Sequence, residues 1–327
     1  MKTVSLVCSL LVLGMVSPMP APGLDGSTVD QAKPIVVRKR VGTNHNLSKG
    51  LRPRGPNLQL RQDVSLDYSY VGGAKIKSGP DGHLGEQMSA FRYSLKVPVD
   101  AQWSFRVGLQ YKRLDFSVPE GALLPNNLQT ISPSFGVDYR LSDQWSVFGG
   151  ISPRLSMIDN GDHIGSQDFR VGGILGATYN PSRTLSLQFG LAVNPDSLGS
   201  PVLPAVGVRW EFADLWTLNF GFPRTSIDHQ LLPNLTLSLI KVGFEGGSFH
   251  TSKTYGDAMG RPQLNDRKLQ YQEVRVGTGA NYAVTESIQV GLTAGAVVYR
   301  NFDFKDADYS QKVDPAPYVQ LSVKTDF

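Results

Sequence analysis

The chain contains one cysteine in 327 residues, Cys8. It sits inside an N-terminal apolar run, so everything beyond that run lacks a thiol. A disulfide framework, a thiolate metal site and a cysteine nucleophile are thereby excluded. Long hydrophobic runs are equally scarce. The one present, Val4–Val16, is about thirteen residues long, short of the roughly twenty a helix needs to cross a bilayer. Good helix-forming stretches are few, and 34 glycines argue against an α-rich protein. No glycine loop follows a strand and opens a helix, so the Gly-x-Gly pairs are strand glycines rather than a phosphate cradle. No motif of a nucleic-acid-binding fold is present, and neither a nucleic-acid partner nor a cofactor is expected.

The first segment is a targeting sequence: Lys2 supplies a positive charge, Val4–Val16 the apolar stretch, and Pro18, Pro20 and Pro22 break it. Small residues around Ala21-Pro22-Gly23 place cleavage after Gly23. A lipoprotein signal at Cys8 is disfavoured, because only a handful of residues precede that cysteine. Residues 24–60 then form a basic tail with Pro34, Pro53 and Pro56 and no persistent hydrophobic period, read as a solvated linker. Counted through Arg61, this tail holds eight basic residues against Asp25 and Asp30. With Lys2 also set aside, the body keeps 23 of the 32 basic residues and 26 of the 28 acidic ones, so the basic balance belongs to the tail.

From Arg61 onward, period-two alternation dominates. Phe91, Tyr93, Leu95 and Val97 share one strand face, with Arg92, Ser94 and Lys96 on the other; Trp103, Phe105, Val107 and Leu109 are opposed by Ser104, Arg106, Gly108 and Gln110. The same pattern returns around Phe135, Trp145, Val171, Leu187, Val206, Trp216, Val276 and Val290. Connections of about two to four residues near Ala101, Asp143, Ser182, Asp214 and Glu286 alternate with long polar ones. The long ones are placed at Gly72–Glu86, Asp115–Gln129, Met157–Gln167, Pro195–Pro201, His250–Arg267 and Asn301–Ala316. All four tryptophans, Trp103, Trp145, Trp210 and Trp216, lie within about three positions of a short turn, as amphipathic rings at one interface would.

The chain ends on one more alternating strand. Val319, Leu321, Val323, Thr325 and Phe327 occupy one face, and Tyr318, Gln320, Ser322, Lys324 and Asp326 the other. Together with the repeated hairpins, this resembles the bacterial outer-membrane β-barrels, of the porin-like and uncharacterised kinds, over Arg61–Phe327. The resemblance implies an all-β, transmembrane, antiparallel up-and-down barrel. It also implies a periplasmic girdle of Trp103, Trp145, Trp210 and Trp216, and an assembly signal of Tyr318, Val319, Leu321, Val323 and Phe327. Outer-membrane lipid and the barrel-assembly machinery are the implied partners. Parity leaves the strand count at 12 to 14: fourteen if Thr225–Leu231 pairs in the wall, twelve if Trp216–Leu231 leaves it as a hairpin.

Alternation assigns charged residues to the inner wall, since Arg or Lys facing lipid at mid-depth costs roughly 2–4 kcal/mol. The basic lumen-lining set is Arg92, Lys96, Arg106, Arg154, Arg170, Arg209 and Arg275, joined by Lys112, Arg140 and Lys324; the acidic set is Asp63, Asp67, Asp138, Asp168, Glu211, Glu273 and Asp326. This pattern fits passive or weakly selective passage of small solutes, anionic ones included. It also fits a lumen plugged by ion pairs in a structural or adhesive barrel. An enzyme is not expected. His250-Thr251-Ser252 echoes the His-x-Ser of rim lipases but lacks an orienting partner in sequence. Asp159, Asp162 and His163, or Asp303, Asp306 and Asp308, lack calcium-loop spacing, so no metal site is expected.

Overall fold

The computed structural model describes residues 60–77, 81–159, 164–193, 202–221 and 223–327. The targeting sequence, its cleavage after Gly23 and the basic tail up to residue 59 lie outside them. Four hairpins open the wall: β1 (Arg61–Lys77) with β2 (His83–Pro98), β3 (Trp103–Ser117) with β4 (Asn127–Arg140), β5 (Trp145–Ile158) with β6 (Phe169–Tyr179), and β7 (Leu185–Val193) with β8 (Val202–Ala213). Three more complete it: β9 (Trp216–Gly221) with β10 (Arg224–Leu232), β11 (Leu235–His250) with β12 (Lys268–Ala283), and β13 (Ile288–Phe304) with β14 (Tyr309–Val313) and β15 (Ala316–Asp326). From β1 to β14 each strand pairs antiparallel with the next, and β15 closes the ring on β1 from Asp63↔Asp326 to Val71↔Tyr318. Because β14 and β15 both pair with β13 and with β1, they are two pieces of one stave. Pro315, which has no N–H to give to a ladder, falls between them. The barrel is closed with fourteen strands.

The choice between twelve and fourteen rests on β10, which pairs with both β9 and β11. Ser226 and Asp228 face inward and are satisfied there, while His229 packs against Trp216. Asp228 accepts hydrogen bonds from Asn219 (2.8 Å), Ser226 (3.0 Å) and Ser238 (2.6 Å). The short turns follow a local rule. Asp100 accepts from the backbone of Gln102 and Trp103, Ser142 from Gln144 and Trp145, and Thr285 from Ser287 and Ile288. Such side-chain turns fix the chain reversal just before a strand begins.

Strand polarity inverts part-way up the barrel. In the lower part the outward positions are apolar, among them Leu66, Phe105, Phe135, Phe189, Val206 and Leu321, and Leu175 is 67% exposed. Inward positions there are mostly polar or small. Toward the long loops the outward positions become Lys75, Lys77, Gln87 and Lys312, all exposed, while Ile76, Leu84, Met88, Leu114, Phe116, Tyr271, Phe302 and Phe304 turn inward and are buried. Such a change is what a wall shows when its outside passes from lipid to water. Two of the long polar connections expected from sequence are therefore largely strand, Gly72–Glu86 through β1 and β2 and Asn301–Ala316 through β13 and β14, and β3 runs on to Ser117 into a third.

Three one-residue bulges turn the alternation over. Gly72-Gly73 interrupts β1, where Val71 pairs with Glu86 and Ala74 with Leu84. Leu239-Ile240 interrupts β11, leaving both side chains outward and bringing Lys241 and Glu245 inside. Val298 is the extra residue of β13, and beyond it Arg300, Phe302 and Phe304 point inward.

The wall is uneven in height. β1 and β13 have 17 residues and β2, β11 and β12 have 16, whereas β7 and β10 have nine and β9 six. The tall staves enclose the apolar cluster, and residues 251–267 fold over it. Tyr255 and Leu264 insert into the cluster from this loop. Gly256 is packed so closely that a Cβ would stand 1.9 Å from the Arg261 carbonyl, and its N–H reaches Asn265 Oδ1 at 2.6 Å. At the rim, His250 bonds Asp266 at 2.9 Å and holds that carboxyl below the usual carboxylate range. The folded carboxyl titrates lower than the unfolded one, so this tie is present at neutral pH and lost as pH falls.

Candidate functional site

The lumen has two storeys. The upper one, at the long-loop end, is filled from wall to wall. Phe116 of β3 packs edge-on against Tyr271 of β12 (5.6 Å between centroids) and Phe302 of β13 (5.2 Å). On the opposite side β11 comes within 8 Å, Cα to Cα, of β5 and of the turn Ser166–Asp168, although five strands separate β11 from β5 along the wall.

Directly beneath the apolar cluster lies a buried ionic group. Glu273 faces Arg300 across the β12–β13 ladder and accepts from its Nε at 2.9 Å, from Tyr271 Oη at 2.7 Å and from Arg275 Nε. Glu86 accepts from Arg275 Nη2 at 2.8 Å and from Tyr271 Oη at 2.8 Å, with Arg300 Nη2 at 3.3 Å. Two guanidinium groups thus meet two carboxylates, and Arg275 also donates to Ser69 at 2.8 Å. Its guanidinium stacks 5.4 Å from the Tyr318 ring centroid. These contacts tie β12 and β13 to β1 and β2 across the intervening β14/β15 stave at the closing seam.

Below this group the inward side chains are mostly charged, polar or small. Lys112 bonds Glu245 (3.2 Å), which also has Arg224 at 3.9 Å, and Arg92 lies 3.4 Å from Asp67. Inward positions of β6–β8 include Gly172, Gly176, Gly190, Ala192, Ala205 and Gly207, which project little into the space. At Gly176 the room is used by Phe148, whose ring would stand 2.7 Å from an added Cβ.

Of the basic residues expected in the lumen, Arg92, Arg106 and Arg275 have ion-pair partners there, Arg106 at 2.7 Å from Asp138 with both side chains buried. Lys96 stands opposite Arg106 in the β2–β3 ladder. Arg209 pairs with Glu211 at 3.2 Å. Arg154 is buried on β5 beside Arg170, which bonds the Phe169 carbonyl. The residues fall at different depths, so they form a lined wall and not one site. Trp103, Trp145, Trp210 and Trp216 stand at the short-turn end, three of them against Tyr139, Tyr179 and His229 at 4.5 Å between centroids. Val319 and Leu321 face outward, Tyr318 is buried inside, and Phe327, 72% exposed, exchanges two 2.9 Å backbone bonds with Gln62 at the closing seam.

Sequence reasoning missed Glu86, Arg300, Lys241 and Glu245. Glu86 lay in a stretch read as loop. Simple alternation from Ile288, or from Leu235, puts Arg300, Lys241 and Glu245 on the lipid side; the bulges bring them in. A charge at an outward position of a membrane strand was the available signal.

At the rim, His250 bonds Asp266, and Thr251 Oγ1 donates to the Leu264 carbonyl at 2.7 Å. No His250–Ser252 contact is found among the described residues. Asp159 accepts from the backbone of Asn126 and Asn127, and Asp303 pairs with Lys305 at 2.5 Å. Among the described residues no group of three or more His, Cys, Asp or Glu could hold a metal ion.

No curated protein matches the chain in sequence. Among solved structures, that of a Pseudomonas aeruginosa FadL homologue aligns with a TM-score of 0.44 at 10% identity, over 86% of this chain and 94% of that one. The Pseudomonas putida toluene transporter TodX aligns at 0.37 and 10% identity, over 93% and 96%, and the KdgM porin at 0.34 and 11%, over 80% and 99%. A family model described as a domain of unknown function, DUF6268, matches residues 66–325, from the first strand to the last, and the chain belongs to that family.

Proposed function

We propose that the protein is a bacterial outer-membrane channel of porin-like character, passing small solutes with a weak preference for anions, and that its outer mouth is shut in the conformation described. Location rests on the apolar outward belt, the inverted polarity above it and the tryptophans at the short-turn end, taken as periplasmic. One observation favours the channel reading over a solid barrel: along β6–β8 the inward positions include Gly172, Gly176, Gly190, Ala192, Ala205 and Gly207, interspersed with polar ones such as Gln188 and Arg209, so this arc of the wall sends few bulky apolar side chains into the lower lumen. Purified protein in planar bilayers is expected to conduct in discrete steps, with a reversal potential in a salt gradient that indicates anion preference. Phe302→Ala, which thins the seal, is expected to lengthen the open events. Silence from correctly folded wild type and Phe302→Ala alike would sink the channel.

A second reading, a non-conducting structural barrel, is favoured by the buried network of Glu86, Glu273, Arg275 and Arg300, whose charges are spent on one another beneath the apolar cluster rather than offered to a solute. Silent bilayers would support it. Under either reading the barrel-assembly machinery is the proposed partner of the last strand, through Val319, Leu321, Val323 and Phe327. Deleting Phe327 removes both seam bonds to Gln62 and is expected to lower the amount of assembled, heat-modifiable barrel in the outer membrane. Unchanged assembly would count against that role.

A further inference from the structure

Between the ionic group and the short-turn end, four cations converge from four strands: Arg92 of β2, Arg224 of β10, Lys241 of β11 and Lys324 of β15. Arg92 and Lys324 share one row of the wall, since both are register partners of Ser65 on β1. Lys241 is the register partner of Ser226, two residues beyond Arg224. Each of Arg92, Lys241 and Lys324 feels the charge of Arg224, and Lys324 feels that of Arg92 as well. Like charges gathered in a confined lumen repel, so something must offset them.

The nearby carboxylates do so only in part. Asp67 serves Arg92 and accepts from Gln320 at 3.2 Å; Glu245 serves Lys112 and Arg224; Asp228 is taken up by Asn219, Ser226 and Ser238. Lys241 has one hydrogen bond, to Thr293 Oγ1 at 2.8 Å, and no ion pair among the described residues. Lys324 has neither a hydrogen bond nor an ion pair among the described residues, and its register opposite Ser65 puts it on the inward face of β15. Five cations (Arg92, Lys112, Arg224, Lys241, Lys324) against three carboxylates (Asp67, Glu245, Asp228) leave a surplus of two positive charges.

We infer that this cluster is a binding site for a small divalent oxyanion of phosphate or sulfate size, held in the lumen by Lys324 and Lys241 with Arg92 and Arg224 at its sides. A surplus of two charges is neutralised by one dianion. Ammonium groups that lack a protein acceptor would gain one in an oxyanion, and bonds between charged partners are shorter and stronger than neutral ones. A chloride ion would satisfy neither the charge nor the number of donors. Membrane phosphates are kept out by the wall, so the source is free anion entering from the short-turn end. The inference rests on the reading that small solutes reach the lumen, but not on their crossing it.

The test is calorimetric titration of the full refolded chain in detergent micelles with inorganic phosphate or sulfate, at constant ionic strength made up with chloride. Saturable binding with one site per chain is expected. Lys324→Met together with Lys241→Met should weaken it by at least about tenfold, the loss of one to two charge-assisted contacts. Lys324→Arg, which keeps the charge, should retain most of it, and Lys75→Met on the outer surface should leave it unchanged. Heat-modifiable migration on gels confirms that each variant is folded. Absence of saturable binding by the folded wild type, or equal affinity in the double variant, would overturn the site. Saturable binding by a protein silent in bilayers would keep the site and remove the channel; conduction without saturable binding would do the reverse.

Discussion

Glu273→Ala is expected to destabilise the barrel by about 3–5 kcal/mol, the cost of breaking a buried ion pair from one side. The carboxylate accepts from Tyr271, Arg275 and Arg300, all buried, and its loss leaves two guanidinium groups facing Glu86 alone. Reversible urea unfolding in micelles, followed by tryptophan fluorescence, would measure the change. Adding Arg300→Met restores the balance of one cation to one anion and should recover part of the loss. Indifference of the single variant would mean that the group does not hold the closing seam together.

Leu66→Arg is expected to cost about 2–4 kcal/mol, because Leu66 lies near the middle of the lipid-facing part of β1. On a soluble protein the same change at a side chain 54% exposed would stay within about 0.5 kcal/mol. Gln87→Arg supplies the counterpart. Gln87 is also exposed on the outward face, but it lies above the level at which polarity inverts, and its substitution should be nearly neutral. Equal costs at the two positions would contradict the placement of the lipid boundary between them. The pair of variants thus tests the membrane reading independently of conduction.

The barrel was legible because most strands below the boundary repeat one phase, apolar out and polar in, between turns opened by Asp100, Ser142, Ser182 and Thr285. For the least regular strand, β10, counting strands between the turns at Asp214 and Glu286 offered a place but left twelve and fourteen both open, and only its pairing with β9 and β11 decides. What stayed hidden lies above the boundary. There the outside is polar and the inside apolar, so the upper ends of β1, β3 and β13 read as loops. The buried ionic group stayed hidden for a related reason. Glu273 and Arg275 keep the simple phase and were found, whereas Arg300 sits just past the bulge at Val298, where the phase has turned over. Within one strand such a bulge shows only indirectly, as a charge on the outward phase; its position is fixed by the register between two strands.

The six-residue β9 has one more consequence, which concerns the bilayer and not the protein. At roughly 3.3 Å per residue, β9 spans about 20 Å along its own direction, less once tilted, whereas the apolar band of such barrels is about 25 Å tall. Lipid beside β9 and β10 therefore meets too little wall, and lipid beside β13 meets ample. The mismatch is relieved when acyl chains thin locally on the low side, or when the whole cylinder leans toward it. Either response makes the surrounding membrane anisotropic, with the low side the natural contact for shorter or more fluid lipids.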